Sequence, residues 1–262
     1  EVWGGRAMKT ISIVNLKGGV GKTSTAISVA AALAERGKRV LLLDADHQCN
    51  LSLHLRADMD APDICTILDG GEPYYENLLQ HTYLRGVDIV PGSLDLMAYD
   101  LGVLNGNPQR RSAIRDFAAA LSEDDVYDYL LVDCPPAFSA SCAATLYAAD
   151  EVIIPTSIGQ YEEWGVSNLT HQIDGMLSVN PQLHLGGLLV TMWHNAPLVV
   201  QGEARMREAF PGRVFRTVIR RTDKVGESAY YRESVLDYSP TSAAARDYRK
   251  FVDEYFGGEA HG

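Results

Sequence analysis

Nearly continuous apolar runs recur along the chain: "TISIVN" (10–15), "RVLLLDAD" (39–46), "VDIVPGS" (87–93), "YDYLLVDCPP" (127–136), "EVIIP" (151–155), "GGLLVTMW" (186–193) and "FRTVI" (215–219). Each reads as a β-strand. Runs that do not alternate with polar residues belong to strands buried on both faces, as in a parallel sheet covered by helices. Most intervening stretches are long enough for a crossover helix. The expectation is one α/β domain, a doubly wound, mostly parallel sheet flanked by helices.

The first crossover is the most explicit. Over 22–36, Ala26, Val29, Ala30 and Leu33 recur at helical spacing, Arg36 stands in the last turn, and Gly37 supplies a stop. The glycine-rich segment "NLKGGVGKTS" (15–24) joins the first strand to this helix. In that setting successive backbone N–H groups and the positive helix end converge on one anion, which separates a phosphate-binding loop from a chance match. Gly18, Gly19 and Gly21 let the backbone close around phosphate oxygens, with Val20 and Ser24 completing the loop. Lys22 is expected to reach the β- and γ-phosphates, and the Thr23 hydroxyl to ligate Mg²⁺. One position departs from G-x-x-x-x-G-K-S/T: Leu16 replaces the first glycine and is followed by a second lysine, Lys17.

Carboxylates end two of the apolar runs. Asp133 closes "YLLVD", where a carboxylate at the carboxyl edge of a parallel strand faces the Mg²⁺ region, the Walker B position. Asp44 and Asp46 close "VLLLDAD", and period-two alternation puts both on one side of the strand. One of the two is expected to orient the attacking water while the other supports the metal shell.

Composition narrows the class. A chain of 262 residues with 46% hydrophobic content can bury a full core. Residues 1–7 read as a cloning remnant ahead of Met8, 8–257 as the nucleotide-binding domain, and 258–262 as a tail. No apolar run approaches the roughly 18–20 residues of a membrane span, so a soluble, cytoplasmic protein is expected. Cys49, Cys65, Cys134 and Cys142 show no C-x-x-C spacing, which argues against a disulfide framework or a zinc site and for reduced thiols. The net charge of -11 speaks against nucleic acid, yet 205–232 holds eight basic and three acidic residues, a local +5 that leaves -16 for the rest.

"KGGVGKTS", "LLLDADHQCN", "LLVDCPPAFSASCAATLYAADEVIIP" and "VFRTVIRRTDKVGES" occur in the order seen in the ParA/MinD family of deviant-Walker ATPases. The resemblance runs from Met8 over nearly the whole chain and is nearest to ParA-like members without an N-terminal DNA-reading extension. It implies a P-loop NTPase fold, ATP and Mg²⁺ as cofactors, and a slow, partner-stimulated ATPase. It further implies an ATP-bound homodimer that binds DNA without sequence preference, acts in plasmid or chromosome partition, and answers to a ParB-like adaptor. By the same resemblance Lys17 crosses the dimer to the partner subunit's phosphates, Asp46 positions the hydrolytic water, and Asp44 supports the Mg²⁺ shell. His47 and Cys49 replace a proline and a glycine of the usual D-x-D-P-Q-G-N, with Cys49 expected to be inert.

The DNA contacts implied are Arg216, Arg220, Lys224 and Arg232, while Arg221 is the candidate for the nucleotide base. Ala196 stands where several relatives carry another DNA-contacting arginine. MinD-like members end in a membrane-targeting helix. Here Tyr248, Phe251, Val252, Tyr255 and Phe256 form an apolar stripe opposite mixed charges, which reads as core packing and not as a membrane anchor. The alternatives are a relative that positions a non-DNA cargo, or a metabolic enzyme on the same scaffold. The latter would be a cobyrinate-type ligase, for which the chain looks too short to include a glutaminase domain, or an iron–sulfur ATPase, for which only Cys134 and Cys142 flank Walker B.

Overall fold

Alternate residues of each apolar run go to opposite faces of the sheet, which is why the runs can be apolar throughout. Leu41, Leu43, Leu130 and Val132 join one core cluster and Leu42, Ile11, Ile13 and Leu131 the other, all fully buried. In the computed structural model residues 8–70, 75–106 and 110–257 are described. The segments 1–7 and 258–262 lie outside the described residues.

The described elements begin with β1 (Lys9–Ile13), α1 (Lys22–Ala34), β2 (Val40–Asp44), α2 (Asn50–His54), α3 (Ile64–Leu68) and α4 (Tyr75–Leu78). Next come β3 (Gln80–His81), β4 (Val87–Val90), α5 (Leu96–Leu104), α6 (Ala113–Glu123), β5 (Tyr129–Asp133) and α7 (Ala140–Ala148). Then follow β6 (Glu151–Thr156), α8 (Glu162–Met176), β7 (His184–Val190) and α9 (Pro197–Ala209). The last are α10 (Asp223–Tyr231), α11 (Val235–Tyr238) and α12 (Ala243–Phe256). The strands form one sheet in the order β3-β4-β2-β5-β1-β6-β7, parallel except for β3 against β4.

Helices α1 and α12 cover one face, and α6, α7 and α8 the other. The small side chains Ala26, Ala30 and Ala32 let α1 lie close to the sheet, so it is buried almost all round. The apolar stripe of α12 is spent on this packing: Tyr248, Phe251, Val252 and Phe256 are buried, and Tyr255 stacks on Phe251. Among the described residues no helix is long and apolar enough to cross a membrane.

Two strand expectations are corrected. The "FRTVI" segment is not a continuous strand: the Phe215 and Ile219 amides donate to the Leu188 and Val190 carbonyls of β7 at 3.0 and 2.8 Å, and isolated bridges at Val214 and Arg220 flank it. The amides of Arg216 and Thr217, which a strand would give to its neighbour, instead donate to the Glu254 carboxylate at 2.7 and 2.8 Å. Conversely, the two-residue edge strand β3 was not anticipated, being too short to carry any periodicity.

Register is what builds the site. Ile13 and Asp44 both lie level with Asp133, so the carboxyl ends of three adjacent central strands finish together. That edge of a parallel sheet is where ligands bind in such folds.

Candidate nucleotide-binding site

The turn out of β1 is held open by its glycines. Gly19 and Gly21 have φ of 74° and 89°, a backbone that disfavours any residue with a Cβ. Gly21 is the N-cap of α1 and provides no side-chain cap. The amides of Lys22, Thr23 and Ser24 therefore lack intrahelical partners and face the cleft as an anion cradle. Two braces that sequence reasoning missed hold the loop. Asn15 donates to the Pro155 carbonyl at 2.7 Å and accepts the Lys17 amide at 2.9 Å. Thr191 donates from the end of β7 to the Val20 carbonyl at 2.8 Å. The only sequence signal was a polar residue following an apolar run in each case.

Below the loop, the Thr23 hydroxyl donates to Asp133 Oδ2 at 2.6 Å, while Asp133 Oδ1 is buried without a hydrogen-bond partner. Burial first, and then the neighbouring Asp44 charge, push the Asp133 carboxyl up to about 8; the Thr23 bond and the Lys22 charge pull the other way. A hydroxyl beside a carboxylate with a vacant oxygen is a hard-oxygen donor set, which fits Mg²⁺. Thr23 and Asp133 are the residues that would hold it.

Asp44, level with Asp133 at the end of β2, is held by residues that follow it. One oxygen accepts both the amide (2.9 Å) and the hydroxyl (2.7 Å) of Ser52, and the other accepts the Asp46 amide at 3.2 Å. Burial lifts its pKa to about 6 against these bonds. Through these bonds Asp44 ties α2 to the end of β2.

Asp46 lines a cleft of about 510 Å³ together with Gly18, Gly19, Lys22, Thr23 and Gln48, and its Oδ1 accepts the Gln48 amide at 3.0 Å. Lys22 is buried and donates to the Lys17 carbonyl at 3.3 Å, its ammonium drawn across the loop. Lys17 points away from this cleft: its side chain is 58% exposed and pairs with Glu162 at the start of α8. Burial pushes Glu162 upward, but the Lys17 hydrogen bond, the Tyr161 amide and the Lys17 charge outweigh it and leave Glu162 below the usual carboxylate range. Cys49, between Gln48 and Asn50, is buried with its thiol pushed up to about 12 by burial, as befits an inert residue. Cys134 and Cys142 are fully buried in the core, so neither reaches a surface where a shared cluster could form.

Residues 8–185 match the family described as AAA domain. The chromosome-partitioning ATPase Soj of Thermus thermophilus is 35% identical over 251 residues, covering 94% of this chain and 95% of that protein. The chromosome partitioning protein ParA of Caulobacter vibrioides is 32% identical, covering 94% and 93%.

The chain belongs to the ParA/MinD family of ATPases.

Its fold also matches the solved structure of cobyrinic acid a,c-diamide synthase from Mycobacterium smegmatis with bound ATP analogue and magnesium, at TM-score 0.83 and 27% identity, over 97% of this chain and 96% of that one. A chain of this size thus carries the amide synthase name, and shortness does not argue against the ligase alternative.

In this ParA/MinD-family member three of the basic side chains expected at DNA are paired with carboxylates, two of them from α12 and one from α10. Arg220 clamps Asp247 with two bonds of 2.8 and 2.7 Å. Arg216 lies 3.7 Å from Glu254, and Lys224 pairs with Glu227 at 2.6 Å. Arg221 is exposed just before α10. Arg232 lines the same cleft as Asp46 and the glycine loop, while Arg216 and Arg220 lie together elsewhere.

Proposed function

We propose that this ParA/MinD-family protein is an Mg²⁺-dependent ATPase whose ATP-bound state dimerises, and that the switch serves DNA partition in the cytoplasm and on the nucleoid. The observation that carries it is Lys17. The loop, Thr23, Asp133 and Asp46 supply one complete hydrolytic set, and a second lysine from the same loop leaves that set and faces outward. A cation beyond its own cleft is placed to meet charge on a facing subunit, where it stabilises the transferring phosphoryl group as an arginine finger does. Nucleotide state and dimerisation then form one equilibrium.

Within one subunit, the amides of the loop and Lys22 bind the phosphates, and Asp46 accepts a proton from, and orients, the attacking water. Mg²⁺ supplies charge neutralisation when held by Thr23 and Asp133. Turnover is slow until a ParB-like partner completes the site. The dimer binds random-sequence DNA through Arg216, Arg220 and Lys224. Because each must leave a carboxylate to reach a phosphate, the affinity is low and salt-sensitive.

Calorimetry with ATP and Mg²⁺ tests the nucleotide site, and size-exclusion chromatography of Asp46→Ala with ATP tests the dimer. Binding together with an ATP-dependent shift to twice the mass is expected; absence of binding overturns the whole reading. The likeness to the amide synthase structure supports a second reading, a ligase. ATP hydrolysis that requires a corrinoid carboxylic acid and an amide donor would favour it.

A further inference from the structure

Five non-glycine residues among those described have left-handed backbone, and three of them surround the cleft: Met192 and Arg232 line it, and Cys49 sits between Gln48 and Asn50, which also line it. Strain of this kind concentrates where a site demands it. Arg232 is the telling case. It ends α10 with φ 57° and ψ 48°, a C-cap geometry that glycine adopts freely and arginine does not. An arginine kept there needs a use for its side chain, yet its guanidinium makes no hydrogen bond or ion pair among the described residues. Arg216, Arg220 and Lys224, in contrast, each have a carboxylate.

The residues on either side of Arg232 are tied to α2 and to Arg56, two residues beyond it. His54 Nε2 lies 3.0 Å from the Glu233 carbonyl, and Arg56 donates to the Tyr231 carbonyl at 3.3 Å. These contacts fix the backbone around Arg232, which lines the cleft together with Asp46, Gln48 and Asn50. Burial, with some help from the Arg232 charge, keeps His54 below its usual range, so the imidazole adds no competing cation.

We propose that Arg232 is a nucleotide-binding residue that receives the terminal phosphate of ATP seated on the 18–24 loop, and so distinguishes ATP from ADP. The proposal rests on the ATPase reading. The same contacts join occupancy of that phosphate to α2 on one side and α10 on the other.

Isothermal titration of the whole protein with ATPγS and with ADP, both with Mg²⁺, tests it in wild type, Arg232→Ala, Arg232→Lys and Arg232→Gly. Loss of a charge-assisted contact should weaken ATPγS about 10- to 100-fold in the Ala and Gly variants and ADP by less than about threefold, with Lys intermediate. Arg232→Gly should also unfold at a higher temperature than wild type when nucleotide-free, which separates lost recognition from lost folding. An unchanged ATPγS-to-ADP ratio, or equal weakening of both, overturns the proposal. Unchanged nucleotide binding with loss of duplex DNA binding returns Arg232 to a DNA surface and also overturns it. If wild type binds neither nucleotide, the ATPase reading itself has failed; if wild type binds and only the ratio is unmoved, this proposal alone has failed.

Discussion

The phosphate cleft and the stretch from Arg216 to Lys224 are both rich in charge, and they handle it in opposite ways. At the cleft, Asp133 keeps a buried oxygen without a partner and Lys22 holds only a 3.3 Å bond to a carbonyl. In the basic stretch, Arg220 is clamped by Asp247, and Glu227 accepts from both Lys224 and Tyr238. Unsatisfied buried polar groups cost stability, so their concentration at one place marks where a ligand completes the structure. Satisfied pairs mark the reverse, and a run of positive residues becomes a surface field only if its partners in space let go.

The largest expected effect lies at the cleft. Asp46→Ala should lower single-turnover hydrolysis by about 10²- to 10⁴-fold while ATP affinity moves less than about threefold. Joint loss of binding and hydrolysis would make Asp46 a structural residue and weaken the contrast.

Asp133 gives the next effect. Its carboxyl is raised from 3.8 to about 8, so between those values the folded protein retains a proton that the unfolded chain has released. Its stability contribution is therefore best at low pH and is lost as pH rises toward 8. Asp133→Asn cannot ionise and should gain on wild type, without nucleotide, by about 1 kcal/mol per pH unit between pH 5 and 8. Parallel urea-unfolding curves for the two proteins across that range would contradict the buried-charge argument.

A smaller change should follow in the basic stretch. Arg220→Ala leaves the nearly buried Asp247 carboxylate without its clamp and should destabilise the fold by about 1–3 kcal/mol in urea unfolding. A stability that barely moves would show that the Asp247 clamp carries little and would erase the contrast between the regions.

The smallest effect belongs to Lys224, exposed and paired three residues away with Glu227. Lys224→Ala should change stability by less than about 0.5 kcal/mol. On DNA, it should make the slope of log affinity against log salt shallower by about 0.9 if Lys224 leaves Glu227 for a phosphate. Anisotropy across a salt series reads this, and an unaltered slope would mean that the pair stays closed and the contrast between the regions is complete.

What could be read from sequence was local. The loop, its helix and the strand-end carboxylates Asp46 and Asp133 sit within a few residues of the pattern that announces them, and parallel register brings them together. What could not be read depends on partners far along the chain. Asp247 lies 27 residues beyond Arg220, and Glu254 lies 38 beyond Arg216. Asp247 and Glu254 together bring the local +5 down to +3. Alternation groups Asp44 with Asp46 but says nothing of the bond from Ser52, on α2, that Asp44 accepts. Arg232 was grouped with DNA contacts by proximity in sequence, whereas the fold of the α10 terminus onto α2 carries it to the cleft.

The margins of the sheet bear on how copies of this chain can meet. One margin ends in β3, two residues long and antiparallel, and the other is lined by the segment from Arg213 to Arg221, whose bonds to β7 are interrupted by Glu254. Neither offers the long row of free amides and carbonyls by which sheets join side by side. Side-by-side joining of sheets into open filaments is thereby disfavoured at both margins.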